Sequence, residues 1–282
     1  MKRQLATFLI CFFLTGNLLA FNFELNSSYD YFRDMPDGSW NGNNGALIGV
    51  NSDIPLSDSV SLQLGGSYGL YNWDGRNNVV FKNANVVEQI GFLTAGVSST
   101  CNRWKWGLVY DRLFARHFSI YDLSPSFDQL RFKTGYSFCW NEFGLWGTFD
   151  LTRSHKSALG VPIAFKAIGQ MNLFWKHIFA NEAETMVWIG LPYRNSLMFP
   201  HSKAGDIISG FSLRAPLTEC LMLDGNGSYM VARGSRGAIQ SRNYHASICV
   251  GITYLFGRGC SKPPYMPIAN HSNFFVDTNV NQ

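Results

Sequence analysis

The sequence is poor in charge and lacks long apolar runs after its first twenty residues. Asp, Glu, Lys and Arg make up only 15% of its 282 residues, whereas soluble domains carry roughly 25%. No later stretch approaches the ~18 to 20 consecutive apolar residues that a spanning helix needs, which excludes a helical membrane protein. No basic run is longer than a pair. Nucleic acid is therefore not expected as a partner.

Apolar and aromatic residues are abundant but dispersed along the chain. Hydrophobic residues reach 46%, and the sequence contains 27 Gly, 23 Phe, 12 Tyr and 8 Trp. Such a composition excludes disorder, because it offers ample apolar surface for burial. It favours a β-rich chain, either a large soluble sandwich or a transmembrane barrel.

The first twenty residues have the order of a secretory signal. Lys2 and Arg3 precede an apolar run from Leu5 to Leu14, and small residues follow up to Ala20. We predict a signal peptide over residues 1–20, cleaved after Ala20. The run is too short to remain as a membrane anchor. Cys11 lies inside the apolar run, so lipidation is not expected.

The rest of the chain alternates between strand-like segments, tight turns and long polar loops. From Phe21 to Tyr31, apolar and polar residues alternate over the length of ~9 to 11 residues that a transmembrane strand requires. About twelve such segments follow one another, with short turns and long loops in strict alternation. This order predicts an all-β, up-and-down antiparallel barrel over residues 21–257. A sandwich would have connections of irregular length. An even strand count places both chain ends at the short turns, which face the periplasm in bacterial barrels.

The segment from Asp128 to Trp140 indicates which face is wet. Arg131 and Lys133 share one face, and a basic side chain costs ~2 to 4 kcal/mol at the midplane of a barrel's lipid face. That face must therefore line the lumen. The same sorting, applied to a strand over 165–175 and to the last strand, completes the predicted lumen lining: Arg131, Lys133, Lys166, Gln170, Asn172, His245, Ser247 and Thr253.

Two resemblances support an outer-membrane barrel. Cys249, Gly251, Tyr254 and Phe256 hold the places of the assembly signal in the last strand of bacterial outer-membrane proteins, which is a polar residue, a glycine and two spaced aromatics. The resemblance implies the bacterial outer membrane as location and the barrel assembly machinery as a partner. The stretch from Gly49 to Tyr68 looks like uncharacterised barrel proteins of planctomycete and chlamydia-like bacteria, which supply no activity. Because the matching strand ends near residue 257, residues 258–282 are expected to form a periplasmic tail.

The expected function is that of a porin-like passive channel for small solutes. Arg131, Lys133 and Lys166 would favour anions, because basic side chains lower the barrier for negative solutes. Alternatively, these charges pair with Asp150 and Glu184 and plug the lumen, which would give a structural or adhesive protein. No cofactor is expected, and no metal-binding spacing is present.

Catalysis is not expected, although one spacing calls for attention. His155 and Ser157 have the His-x-Ser spacing of outer-membrane phospholipases, which they resemble. Their neighbours differ from that family, and Asn172 should lie near the opposite rim, so no third group is at hand to orient the His. An outer-membrane lipid hydrolase is the remoter alternative.

Five cysteines remain after removal of the signal, an odd number in an oxidising compartment. Four fall near the short turns, which makes Cys101 with Cys139 and Cys220 with Cys260 candidate disulfides. Cys249 stands alone within the barrel. The alternative, that all five are unbonded, stays open.

Overall fold

The computed structural model describes residues 22–33, 42–73, 86–118, 122–158, 161–193, 205–232, 245–256 and 264–280, and these contain strands and connections. No helix in these ranges is long and apolar enough to span a membrane. The predicted signal peptide and Cys260 lie outside them. The strands are β1 (Asn22–Arg33), β2 (Asn43–Pro55), β3 (Val60–Tyr71), β4 (Glu88–Cys101), β5 (Trp104–Arg116), β6 (Ser126–Phe138), β7 (Asn141–Asp150), β8 (Arg153–Ala158), β9 (Val161–Ala167), β10 (Gln170–Ile178), β11 (Glu184–Pro192), β12 (Gly205–Pro216), β13 (Leu221–Ala232), β14 (His245–Phe256) and β15 (Val276–Val280).

Twelve antiparallel strands close into one barrel, which confirms the predicted fold class. The order around the wall is β1 to β7 and then β10 to β14, and β14 pairs with β1 to close it. The turns β2–β3, β4–β5, β6–β7, β10–β11 and β12–β13 are short and lie together at the short-turn end. The other connections are longer and lie at the opposite, long-loop end. β1 begins and β14 ends at the short-turn end, where Phe23 is opposite Phe256.

Alternate side chains along the wall point to opposite sides of it. In β5, Val109, Asp111 and Leu113 are buried, whereas Trp106 and Tyr110 are exposed on the outside. The same alternation around the barrel leaves large apolar residues from every wall strand exposed. An apolar band of this extent far exceeds the patches that soluble monomers tolerate, and it fits a lipid surround.

The connection between β7 and β10 contains a hairpin that the sequence pattern does not reveal. A single strand over 165–175 was expected, but β9 ends at Ala167 and β10 begins at Gln170. β9 pairs with β8 and β15 in a separate three-stranded sheet, the cap sheet, at the long-loop end. Lys166 therefore lies in the cap sheet, opposite Asp277 and Arg153, and the prediction that it lines the lumen from a strand of the barrel wall is wrong.

Residues 264–277, the plug segment, run through the lumen from the short-turn end to the cap sheet. Tyr265 contacts Glu142 beside the β6–β7 turn, and Val276 begins the strand that pairs with β9. The expectation of a periplasmic tail is thus wrong for these residues. Residues 258–263, 281 and 282 lie outside the described ranges.

Apolar side chains pack together at the long-loop end of the lumen. Rings from the wall, the cap sheet and the plug segment form one cluster, in which Phe92, Phe127, Phe165 and Phe274 are fully buried. A second cluster joins Phe275 to Ile168, Ile208 and Met230. Burial of these rings contributes the usual 1.5 to 3 kcal/mol for each such side chain, so apolar packing fixes the plug segment at this end.

Candidate functional site: the barrel lumen

The plug segment is held by hydrogen bonds from wall residues to its backbone. Arg131 Nη2 donates to the Pro267 carbonyl at 2.7 Å, and Gln129 Nε2 donates to the Asn273 carbonyl at 3.2 Å. Gln63 Nε2 donates to the Met266 carbonyl. On the segment side, the Ala269 amide donates to Thr94 Oγ1 at 3.0 Å. A buried segment without regular secondary structure needs such partners, because each buried backbone N–H or C=O group left without a hydrogen bond costs about 1 to 3 kcal/mol.

Asp111 is the centre of a fully buried charge network. Arg131 binds its carboxylate through two contacts, Nε to Oδ2 at 2.7 Å and Nη2 to Oδ1 at 3.0 Å. Thr94 Oγ1 and Gln129 Nε2 donate to the same carboxylate at 2.7 and 3.0 Å. The bidentate pair with additional donors satisfies both charges within a low-dielectric lumen. Arg131 is therefore neutralised by Asp111, not by the expected Asp150 or Glu184.

A second network joins four wall strands near the short-turn end. Arg214 Nε lies 2.7 Å from Asp224 Oδ1, and its Nη1 lies 2.8 Å from Glu24 Oε1. Asn51 donates to the other Glu24 oxygen at 3.5 Å. One arginine thus faces two carboxylates, and this side of the lumen carries an excess of negative charge.

The opposite side of the lumen carries an excess of positive charge. Lys105 Nζ lies 3.1 Å from Glu142, and Lys176 Nζ lies 2.7 Å from Glu184. Lys133 lies between them with its ammonium 4.9 Å from the ring centre of Phe174 and 4.5 Å from that of Tyr265. Glu184 therefore pairs with Lys176 and not with one of the three basic residues expected to plug the lumen.

A cavity of about 1300 Å³ occupies the short-turn half of the lumen beside the plug segment. The Arg214 network, the three lysines Lys105, Lys133 and Lys176, and the rings of Trp146 and Trp188 line it. Ser59 and Thr218 of the short turns form its outer part. The apolar clusters fill the other half. The lumen thus combines an open chamber at the short turns, lined by charged and aromatic side chains, with an apolar packed region toward the long loops.

The remaining predicted lumen residues point inward but hold other protein groups. Asn172 Nδ2 donates to Gln170 Oε1 at 3.1 Å, and both side chains are buried. His245 Nε2 lies 3.1 Å from the His271 carbonyl of the plug segment, and Ser247 Oγ lies 3.1 Å from Ser272 Oγ. Thr253 accepts a hydrogen bond from Asn26 at 3.0 Å. Most of these side chains therefore serve contacts within the protein.

The cysteines divide into one bonded residue and three free thiols among those described. Cys101, Cys139 and Cys249 are free, so the candidate bond between Cys101 and Cys139 is wrong. Cys220 is disulfide-bonded. Because Cys260 lies outside the described residues, its pairing with Cys220 stays a prediction.

The residues of the resemblance to assembly signals lie on β14, the strand that closes the barrel. Cys249 and Gly251 face the lumen side, whereas Tyr254 and Phe256 are exposed on the outside near the short turns, with their ring centres 4.6 Å apart. Their role in assembly stays a prediction.

His155 and Ser157 lie on β8 of the cap sheet and are both exposed. Neither forms a hydrogen bond with another described side chain, so no His-centred triad is assembled in this part of the structure. Likewise, the described residues contain no group of three or more His, Cys, Asp or Glu side chains arranged to hold a metal ion.

Several residues that matter in the lumen were not singled out from the sequence. They are Asp111, Glu142, Trp146, Lys176, Trp188 and Arg214. Each lies at an inward position of its strand, so the alternation of inward and outward side chains could have assigned them to the lumen. Which of them meet depends on strand register and on the course of the plug segment, which alternation does not reveal.

Comparisons with known proteins identify a family and the barrel fold. The model of a family described as "Family of unknown function (DUF6666)" matches residues 20–276. No curated protein matches the chain in sequence. The translocator domain of the autotransporter NalP from Neisseria meningitidis is similar in structure, with a TM-score of 0.51 and 13% identity over 90% of this chain and 95% of that one.

Two further solved structures are similar at lower scores. The outer membrane phospholipase A from Escherichia coli has a TM-score of 0.46 and 9% identity, over 82% of this chain and 95% of that one. The toluene transporter TodX from P. putida has a TM-score of 0.45 and 11% identity, over 86% and 95%. At such identities the shared feature is the barrel fold alone.

Proposed function

The chain belongs to this family of unknown function, and from that premise we propose that the protein is an outer-membrane barrel kept closed by its own plug segment. Its role in this state is structural, as a membrane-embedded scaffold, and it does not pass solutes. The hydrogen bonds from Arg131, Gln129 and Gln63 to the backbone of residues 264–277 carry this proposal.

The membrane location rests on the outer surface and on the chain's start. Large apolar side chains such as Ile48, Leu173 and Ile189 are more than half exposed on the outside of the wall. A secretory signal over residues 1–20 would deliver the chain to the periplasm, and recognition of β14 by the barrel assembly machinery would insert it into the outer membrane. The short turns and the open chamber then face the periplasm.

Closure is supported at both ends of the plug segment. Phe274 and Phe275 join the apolar clusters at the long-loop end, and Tyr265 donates to Glu142 at 3.0 Å near the short turns. The segment is thus bonded along its length. An open porin has a water-filled lumen, and the apolar packing at the long-loop end is unfavourable for ion passage.

A passive channel for small solutes remains the second candidate, for a state in which the plug segment has left the lumen. The open chamber of about 1300 Å³ favours it, because half of the pathway exists already. The weak anion bias would then depend on Lys133, since Arg131 is neutralised by Asp111 and Lys166 lies in the cap sheet. Lipid hydrolysis has no such support, because His155 and Ser157 lack a third partner among the described residues.

Conductance of the full chain in planar bilayers tests the proposal. The protein is inserted from proteoliposomes in which flotation has verified its membrane integration. We expect no steady ion current. Steady ohmic steps from the unmodified chain would overturn the closed state, and their ion preference would test the anion bias.

A further inference from the structure

One wall of the chamber forms a pocket of aromatic rings beside the Lys133 ammonium. Its hydrogen-bond donors have no acceptor among the described residues. Lys133 is directly opposite Trp146 on β6 and β7, and Phe174 is directly opposite Trp188 on β10 and β11. The indole rings of Trp146 and Trp188 meet edge to face with their centres 5.7 Å apart, and both pack with Phe174. The Lys133 ammonium lies over Phe174 at 4.9 Å. Four neighbouring strands thus build one pocket wall.

Glycines in the wall give the rings the space they occupy. A Cβ atom at Gly144 would lie 2.7 Å from Phe174 Cε1, and one at Gly210 would lie 2.3 Å from Trp188 Cζ2. Side-chain carbons do not approach this closely, so only glycine admits the rings so near the backbone at these positions. Because Trp188 lies against the wall, the chamber beside it stays open.

The pocket carries one positive charge that the protein leaves without a direct counter-ion. Lys105 and Lys176 each pair with a glutamate at 3.1 and 2.7 Å. Lys133 forms no hydrogen bond or close ion pair with a described residue; its ammonium lies over the rings of Phe174 and Tyr265, and Glu142 and Glu184 act on it from a greater distance. An ammonium held over aromatic faces is favourable, but its N–H groups still need an acceptor.

Hydrogen-bond donors lie in the same wall. The indole Nε1 atoms of Trp146 and Trp188 are buried and bond to no described residue. A buried donor without an acceptor lowers the equilibrium constant for folding about tenfold or more. A ligand with an acceptor oxygen could enter beside Lys133. If either indole rotated slightly toward that oxygen, its N–H would gain the missing hydrogen bond.

We propose that this pocket binds a small aromatic monocarboxylate from the short-turn side. The carboxylate would accept from the Lys133 ammonium, and the ring would pack against Trp146, Trp188 and Met186. Around Lys133, three lysines face the two glutamates Glu142 and Glu184, and this local excess of one charge matches a monoanion better than a doubly charged phosphate. Since Tyr265 forms one wall, the site rests on the docked plug segment of the proposed closed barrel.

Equilibrium dialysis of labelled benzoate against the purified full-length protein in detergent micelles tests this site. We expect saturable binding of one benzoate per chain, with competition by unlabelled benzoate and none by inorganic phosphate. Benzyl alcohol, which keeps the ring and lacks the charge, should compete about tenfold more weakly or worse. Absence of saturable binding, or equal competition by benzyl alcohol, would overturn the proposal.

Two variants assign the binding to the pocket. Lys133→Met keeps the length of the side chain and should lower affinity about tenfold or more, whereas Lys156→Met on the exposed cap sheet should leave it unchanged. Trp188→Phe keeps a ring, removes the indole N–H and should weaken binding without unfolding the barrel, which a gel shift on heating verifies. Unchanged affinity in both pocket variants would refute the site. A barrel that conducts and still binds benzoate would refute the proposed closure only.

Discussion

Replacing Phe274 with alanine should loosen the plug segment while leaving the barrel wall intact. The side chain is 0% exposed and packs in the apolar cluster of the long-loop end, with its ring centre 6.0 Å from that of Phe92. Removal of a buried phenylalanine side chain costs about 3 to 5 kcal/mol. In an undocked segment the same residue would be in water, so nearly all of this loss falls on docking. The docked state should become about a hundredfold to a few thousandfold less favoured.

Proteolysis of the folded barrel in micelles measures this shift. When opening and closing are faster than cleavage, the cleavage rate follows the population of the open state. Loss of the C-terminal peptide, followed by mass spectrometry, should therefore accelerate by about two orders of magnitude or more in Phe274→Ala. Phe179→Ala, at an exposed ring in the β10–β11 turn, is the matched control and should behave as the unmodified chain. Equal cleavage rates in Phe274→Ala and the control, with both barrels folded, would refute the reasoning.

Three further predictions follow from the lumen and the topology. Arg131→Met should leave the Asp111 carboxylate buried and unpaired at a cost of about 3 to 5 kcal/mol, which lowers the temperature of unfolding on heated gels. Adding Asp111→Asn should restore part of the lost stability, and an unfolding temperature unaffected by Arg131→Met would count against the network. An epitope tag at Ser235 should be detected on intact cells and one at Ser57 should not, whereas detection of both would contradict the orientation. Non-reducing mass mapping should find Cys220 bonded and the other three described cysteines free, and a bond between any two of those three would disprove the assignment.

The barrel was predictable because its signal is local and repeated. Each wall strand alternates between inward and outward residues, and the tight turns recur at one end, so twelve weak patterns reinforce one another. The exception is instructive. Lys166 and Gln170 are four residues apart and would point to the same side of one continuous strand, yet Ile168 and Gly169 separate β9 from β10. The amide of Ile168 donates to the Phe275 carbonyl at 2.8 Å, so the break coincides with a contact from far along the chain.

The plug segment was not predictable from alternation, because it has none. Pro264 and Pro267 interrupt any strand pattern, and several of its partners lie more than a hundred residues away, as for Arg131 with Pro267. One local signal existed: the adjacent rings of Phe274 and Phe275 are unusual for a tail in water. Similarly, the inward parity of Lys133 was readable, but its position over Phe174 depends on the register of three strands.

The most direct test of the closed barrel is a disulfide between the wall and the plug segment. Ser247 Oγ on β14 lies 3.1 Å from Ser272 Oγ, so sulfurs in these places are near the geometry of a disulfide. Ser247→Cys with Ser272→Cys, in a chain whose Cys101, Cys139 and Cys249 are serine, should join the two peptides after mild oxidation of native membranes. The pair Ser59→Cys with Ser272→Cys, which starts from an exposed short turn, should not join. Absence of the first link in a correctly folded barrel would contradict the placement of the plug segment in the lumen.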